Sequence, residues 1–343
     1  MAKSARLLRT LVLLSAIHIL VLGAGFFGPY DPDVQDRELP FAPPTRLHWV
    51  DARGRFHFRP FVCPYVALTG RFGVYKADLR QTFPVHFFVR SAERRPPGVL
   101  HSRWHLFGTD DEARIFLLGT DEYGRDQFSR LLYGGQVSLL AALVAAGVSV
   151  GLGLLLGSVA GFCGGLIDGI SMRLTELFLA LPWLYLLLAL RAFLPLQTPP
   201  RMSVFLFIML VGVMGWAWPA RLVRGVVLTA KERNYVLAAR GFGASDAYLL
   251  RRHVVPQTFG VAVTQAGLLI PRYILAEVAL SYFGLGVGEP LPSLGNMLAE
   301  IQPHNLTSSH WWMLLPGVAL IPVLAGYYSL ADALHERGGL VQV

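Results

Sequence analysis

The sequence predicts an all-α polytopic membrane protein of six transmembrane helices, with an extended extracytoplasmic segment after the first helix. Three observations carry that prediction. Of the 343 residues, 54% are hydrophobic and only 15% charged, whereas soluble domains carry nearer a quarter charged. The mean hydropathy is positive. Apolar runs recur along the chain, each of about twenty residues and so able to cross a hydrocarbon core about 30 Å thick. The formal net charge of +8 raises nucleic acid as a partner. The basic excess sits beside apolar segments, however, so orientation in the bilayer explains it, and no nucleic acid is expected.

Residues 1–27 read as a basic tip and the first span. Lys3, Arg6 and Arg9 precede the apolar run 11–27, which places the N-terminus in the cytoplasm. The basic start and the small residues 23–25 also fit a cleaved signal peptide. The length of the run, which flows directly into GPYDPD, favours an uncleaved span.

Residues 28–135 contain no span. They are rich in Pro, Arg and aromatics, with short alternating pieces such as 85–90 that read as strands. The 15 Lys/Arg against 13 Asp/Glu set little orientation, because long segments escape the positive-inside rule. Two similar pieces, HLFGTDDEAR (105–114) and FLLGTDEYGRD (116–126), suggest a local duplication or chance. Within the second, Asp121, Arg125 and Asp126 make a charged turn before 128–133, an amphipathic stretch expected at the interface.

Residues 136–334 read as a five-helix core and 335–343 as a cytoplasmic tail. The second span, 137–160, is uncharged, and its glycines at 147, 151, 153, 157 and 161 include small-xxx-small spacings for close helix packing. Gly147-Val-Ser149-Val-Gly151 matches the nucleophile elbow of hydrolases, but no strand precedes it. The third span, 174–196, is interrupted by Pro182 and carries Glu176 near its cytoplasmic end; the fourth is 202–220. Residues 221–253 then hold seven Lys/Arg against Glu232 and Asp246. A short loop with this excess is cytoplasmic, and counting spans from an inside N-terminus agrees.

Within the loop 221–257, Thr229 and Glu232 have capping-box spacing and predict a helix to about Arg240, ended by Gly241 and Gly243. Ser245 is placed to cap a second short helix through Leu249 and Arg251, with Pro256 stopping it. A helix, glycine turn and helix suit docking into a partner's groove, since Ala238, Ala239 and Gly243 permit close backbone approach; the alternative is an ordinary basic loop. The fifth span, 261–285, holds Arg272 and Glu277, which lie about 140° apart around a helix. Each needs a partner on another helix or a wet cavity, as a lining of a translocation path or as a tie between helices. Residues 286–310 form an outer loop with a short re-entrant helix at 294–301. Trp311 and Trp312 mark an interfacial belt and open the sixth span, 311–331. Cys63 and Cys163 are not expected to pair, and neither has neighbours at metal-ligand spacing. No metal or cofactor is expected.

The loop resembles the cytoplasmic signature of ABC importer permeases, in which Glu-Ala-Ala is followed by Gly and later Pro. Ala238, Ala239, Gly243 and Pro256 fall at those positions, and Leu237 replaces the usual Glu. AARGFGASDAYLLRRHVVPQ (238–257) is most similar to the dipeptide, oligopeptide and nickel branch, C-type subunit. So are GTDEYGRDQFSRLLYGG, AEVALSYFGLGV (276–287), SLGNMLAE (293–300) and WWMLLPG (311–317). The resemblance covers about residues 116–330. It implies a subunit of the bacterial cytoplasmic membrane, both termini inside, paired with a second homologous permease. Two ATPase subunits would bind the loop at Leu237, Ala238, Ala239, Arg240, Gly243, Ala244, Ser245, Asp246, Arg252, His253 and Pro256. A soluble binding protein would deliver substrate from outside. The extracytoplasmic motif is Gly119, Thr120, Asp121, Gly124, Arg125 and Asp126. Glu176, Arg272 and Glu277 are candidates for the path or for helix ties. Residues 48–118 exceed what plain members carry and bear on how the binding protein docks.

Other classes have less support. A P-loop needs Lys directly after Gly, but Lys3, Lys76 and Lys231 follow Ala, Tyr and Ala. ATP hydrolysis is therefore expected in partner subunits, and this chain is read as a transport subunit working by alternating access. The rivals are a membrane-embedded hydrolase using Ser149 with His253 as base, and a channel or scaffold that leaves the basic loop unused.

Overall fold

Helices dominate, as the apolar runs require, because a backbone in lipid must satisfy its hydrogen bonds internally. The structure, a computed structural model, describes residues 2–51, 53–67, 73–90, 102–109, 113–193, 195, 198–301 and 310–338, with side chains from 5 to 336. Helix α1 (Ala2–Leu22) is followed by the single turn α2 (Ala24–Phe27). Among the described residues, five helices are long and apolar enough to cross a membrane, or six if one bent pair counts as one span.

That bent pair is the predicted third span. It starts earlier than expected, as α4 (Gly165–Ala180), and turns by 89° into α5 (Trp183–Ala192). Pro182 is the cap residue of α5, where a missing N–H is tolerated. The second span, α3 (Gln127–Cys163), has 37 residues, about 55 Å. It absorbs the stretch 128–133, which was expected to lie separately at the interface. Asp126 caps α3 by accepting the Ser129 N–H at 2.8 Å, and nothing between there and Val137 breaks the helix. The fourth span comprises α6 (Pro200–Met214) and α7 (Ala217–Lys231).

The loop that follows departs from its prediction in two places. Thr229 does not form a capping box: α7 runs through it, and its hydroxyl donates back to the Gly225 carbonyl at 3.3 Å. Helix α8 (Asn234–Gly241) starts instead after an extended Arg233. Ser245 does cap α9 (Asp246–Leu249), accepting from the Tyr248 N–H. Pro256 stops nothing. A π-helical turn (Leu250–Val254) and a 3-10 turn (Val255–Thr258) lead without interruption into α10 (Phe259–Tyr282). The proline sits in the first turn of the 3-10 segment, where its ring clashes with no preceding carbonyl. The short helix expected at 294–301 is α11 (Leu294–Ala299), with a capping box between Ser293 and Asn296. A 3-10 turn (Trp311–Leu314) then opens α12 (Leu315–Gly338). Residues 335–338 of the expected tail are thus helical, and 339–343 lie outside the described residues.

The segment after α2 carries short antiparallel strands: β1 (His48–Val50), β2 (Phe56–Val62), β3 (Tyr65–Ala67), β4 (Tyr75–Ala77), β5 (Phe83–Pro84), β6 (His86–Arg90) and β7 (Trp104–Gly108). They pair as β1-β2-β5, β3-β4 and β6-β7 over a small core of Val62, Val85, Ala113 and Ile115. The 85–90 strand reading thus corresponds to β6. Residues 110–112 of the first similar piece lie outside the described residues. Its described part is mainly β7, whereas the second piece is a tight turn, so the likeness does not extend to backbone.

The chain divides into two units, residues 1–14, 139–286 and 322–343, and residues 15–138 and 287–321. In the first, Gly153, Gly157 and Gly161 of α3 make a close-packing surface for α7, whereas Gly147 and Gly151 have nothing within 4 Å of a Cβ. A Cβ on Gly153 would lie 2.5 Å from Pro219, and one on Gly161 2.9 Å from Val227. Below them Val223, Val227, Val236, Leu249 and Val254 form the core on which α8 and α9 rest.

Candidate functional site

The segment 231–258 is anchored from within and open outside. Val236, Leu249 and Val254 are fully buried, with Ala239, Ala244 and Leu250 packed against them, while most of the other residues between are exposed. Ala244 N–H donates to the Ala239 carbonyl at 3.1 Å and Gly243 N–H to Arg240 at 2.9 Å, which ends α8 in a left-handed turn. Gly243 holds φ +86 with open space around it, so backbone conformation alone demands glycine there. Phe242 is 94% exposed, and Tyr235, Leu237 and Tyr248 are about half exposed. Ala238, Ser245, Asp246, Arg252 and Pro256 are exposed as well, with Ala239, Ala244 and His253 partly so. Arg240 pairs with Asp246 at 3.2 Å and its guanidinium lies 5.7 Å from the Phe162 ring. His253 packs against Tyr235 and Tyr248. Apolar and aromatic side chains thus rim the outer side of this segment. Leu237 extends that rim with a side chain that has no charge to offer.

The turn 119–126 is the opposite case. Gly119 and Gly124 both take φ +73, and a Cβ on Gly124 would overlap the Asp36 carbonyl. The Thr120 hydroxyl donates to the Leu39 carbonyl at 2.6 Å and accepts the Ala42 N–H at 2.7 Å, while Trp312 Nε1 donates to the Thr120 carbonyl at 3.1 Å. Asp121 accepts the backbone N–H groups of Tyr123 and Arg125, both at 2.9 Å, and binds Arg125 Nε at 2.5 Å. Arg125 continues to Glu289 at 2.6 Å and Glu300 at 2.9 Å. Arg130, wholly buried, reaches Glu289 at 3.0 Å and Glu300 at 2.9 Å.

Two guanidinium groups therefore meet three carboxylates. Burial pushes the Glu300 carboxyl up, to about 8, against the pull of Arg130. Its Oε2 is buried with no hydrogen-bond partner among the described residues, as a protonated oxygen would allow. Glu289 keeps 43% of its side chain exposed, and what partial burial costs it is outweighed by Arg130 and Arg125, which hold it below the usual range. With Glu300 neutral, the cluster balances. Asp126, beneath it, is pushed to about 6 by burial, countered by the hydroxyl and N–H of Ser129. Sequence reasoning named Asp121, Arg125 and Asp126 as a charged turn but missed Arg130, Glu289 and Glu300. Glu300 sits inside the SLGNMLAE motif, which was the available signal.

The three candidate path residues are in separate surroundings. Arg272 is exposed on α10, its guanidinium 4.6 Å over the Trp183 ring at the start of α5. Glu277 is fully buried and accepts the Ser281 hydroxyl at 2.8 Å on its own helix. Glu176 is exposed and pairs with Arg173 at 2.9 Å. Ser149 is not poised as a nucleophile: it donates to the Gly212 carbonyl and shares a hydrogen bond with Tyr273 Oη, both at 2.7 Å. The structure does not bring His253 to it. Among the described residues no three His, Cys, Asp or Glu side chains are grouped to hold a metal, and both cysteines are free.

Comparison with known proteins adds the following. Residues 153–337 match the family profile of the binding-protein-dependent transport system inner membrane component. The oligopeptide transport system permease protein OppC of Salmonella typhimurium is 36% identical over 300 residues, covering 85% of this chain and 90% of that protein. The dipeptide transport system permease protein DppC of Bacillus subtilis is 37% identical over 219 residues, covering 64% of this chain and 66% of that protein. A solved chain of the MetNI methionine ABC transporter, inward facing, overlays with a TM-score of 0.45 at 18% identity, over 61% of this chain and 95% of that one.

Proposed function

Because the chain belongs to the family of binding-protein-dependent transport system inner membrane components, we propose that it is the C-type permease subunit of an ATP-driven importer of di- or oligopeptides. The relatives' names supply the substrate class. In this reading the chain pairs with a second, homologous permease, and both termini lie in the cytoplasm. Two ATPase subunits engage the segment 231–258, and a soluble binding protein delivers peptide on the other side. The observation that carries the coupling role is the apolar rim of Leu237, Phe242 and Tyr248 around the left-handed Gly243, set on the buried core of Val236, Leu249 and Val254.

That arrangement acts as a rigid handle. The helical run Asp246–Tyr282 is continuous, so a push on α9 moves α10, which carries Arg272 and Glu277, without a hinge between them. Alternating access then follows from rocking of this helix with its neighbours. Gly243→Trp in the assembled transporter, reconstituted in proteoliposomes, tests the coupling. Peptide uptake is expected to fall at least about tenfold while membrane insertion is kept, since loss of about 1.4 kcal/mol of coupling corresponds to that factor. Unimpaired ATP-driven uptake would refute the docking role.

A further inference from the structure

The insert after the first span holds a feature that transport coupling leaves unused. The hairpin β6-β7 is seated directly on the ends of two membrane helices. The Phe88 ring lies 6.2 Å from Phe26 of α2, and Phe107 lies 6.2 Å from Phe128 in the first turn of α3. His105 Nδ1 is hydrogen-bonded to the Gly28 carbonyl at 2.7 Å, where the chain leaves the first span. Helices α1 and α3 are both long and apolar enough to cross a membrane, so the hairpin lies where two candidate spans end. Yet Phe87, Phe88 and Trp104 are 60%, 61% and 52% exposed.

Consecutive strand residues normally point to opposite faces, so one of Phe87 and Phe88 would be covered. Phe88 instead takes φ +56, an unfavourable region for an aromatic residue, and both rings stay outside. Arg90 lies directly across the ladder from Trp104, with Arg103 beside it. Both are exposed, and among the described residues neither has a carboxylate partner. Residues 83–109 carry four arginines and one glutamate.

From this geometry we infer that the β6-β7 hairpin is an interfacial anchor, inserting Phe87, Phe88 and Trp104 among anionic phospholipids of the leaflet from which residues 28–126 emerge. Aromatic rings at headgroup depth and arginines against phosphate are the chemistry of that boundary. Continuity decides against a soluble partner: the exposed apolar face of α1 at Ile19 and Leu20 leads through Phe26 to Phe88.

The test uses the full chain with Cys163→Ser, which removes the exposed thiol and keeps buried Cys63. Phe87→Cys, or independently Trp104→Cys, then carries an environment-sensitive fluorophore in nanodiscs. The discs contain phosphatidylcholine alone or an equimolar mixture with phosphatidylglycerol. A lipid bearing a nitroxide near its headgroup is expected to quench both labels more than aqueous iodide does. Replacing either Arg90 or Arg103 by Gln should weaken the preference for the anionic mixture about fivefold. Iodide quenching that exceeds lipid quenching at both positions overturns the inference. So does protection that appears only when binding protein or the second permease is added, which would assign the hairpin to a protein contact.

Discussion

Two Ser-capped short helices, α9 and α11, use the same local device for opposite ends. Ser245 accepts the Tyr248 N–H at 3.4 Å with its surroundings open to solvent. Ser293 is fully buried, closes a complete capping box with Asn296, and its neighbour Leu294 donates to Ser138 at 3.0 Å. Each is also tied to a glycine turn of positive φ, Gly243 preceding α9, and Gly124 in the turn that α11 meets through Glu300. A cap sets the direction of a helix and adds about 1 kcal/mol. Whether the helix is a support or a surface is decided by what surrounds it. The α11 region spends its polar groups on a buried ionic cluster, whereas the α9 region leaves its apolar groups outside.

The largest expected effect lies on the buried side. Arg130→Met removes one cation from the cluster and leaves Glu289 and Glu300 short of a partner. Breaking a buried pair from one side costs about 3–5 kcal/mol, read as a collapse of the thermal midpoint of the purified chain. The corresponding break on the exposed side, Arg240→Met, removes the surface pair with Asp246 and the guanidinium's contact with the Phe162 ring and is expected to change stability by about 1 kcal/mol or less.

The two glycines sharpen the same contrast. Gly243→Ala meets only the backbone cost of a left-handed residue, about 1–2 kcal/mol, because nothing lies within 4 Å of the new Cβ. Gly124→Ala bears that cost and also drives a methyl into the Asp36 carbonyl, so it should lower the midpoint further. Equal losses at the two positions would mean that the Asp36 loop gives way.

These two regions also differ in how far they could be read from sequence. The 238–257 loop is written in consecutive residues, and the Ala-Ala, Gly and Pro spacing pointed to it directly. Its details failed where a local pattern was taken without its context. Thr229 and Glu232 have capping-box spacing, but α7 arrives already helical and has no free first turn to cap. Pro256 follows a π-turn that has already displaced the carbonyl ladder. The ionic cluster could be read only by half. Asp121 and Arg125 are four residues apart and were identified together, but Glu289 and Glu300 are 164 and 175 positions from Arg125, and no periodicity links a turn before one span to a loop after another. Arg130 was hidden because it falls in an amphipathic stretch that looked interfacial.

Titration separates the cluster from the loop. Glu300 in the folded chain sits at about 8, above its ordinary 4.5, with burial as the main cause. The folded state therefore binds a proton that the unfolded chain releases, and this contribution to stability is fully present below about pH 4.5. It is lost as pH rises through 8. Thermal midpoints should fall between pH 5 and 8, and Glu300→Gln, which keeps the neutral shape, should flatten that slope. Asp126, raised to about 6, contributes in the same direction but is exhausted by that pH. A slope that survives unchanged between pH 7 and 8 in the Gln variant would mean Glu300 is ionised in the cluster.

The smallest effect tests the caps themselves. Ser245→Ala deletes a long, solvent-exposed hydrogen bond whose donor, the Tyr248 N–H, can turn to water, so the cost should sit near the low end for a cap, about 0.5 kcal/mol. Ser293→Ala strips the buried N–H of Asn296 of its acceptor, which adds the penalty of an unsatisfied group and should bring the total to about 2 kcal/mol. Urea midpoints of the two variants give the ratio directly. If they match, burial around α11 is not what distinguishes the two helices. If Ser245→Ala instead lowers coupled uptake while leaving its own midpoint nearly unchanged, the exposed cap acts by holding α9 in the pose that a partner grips.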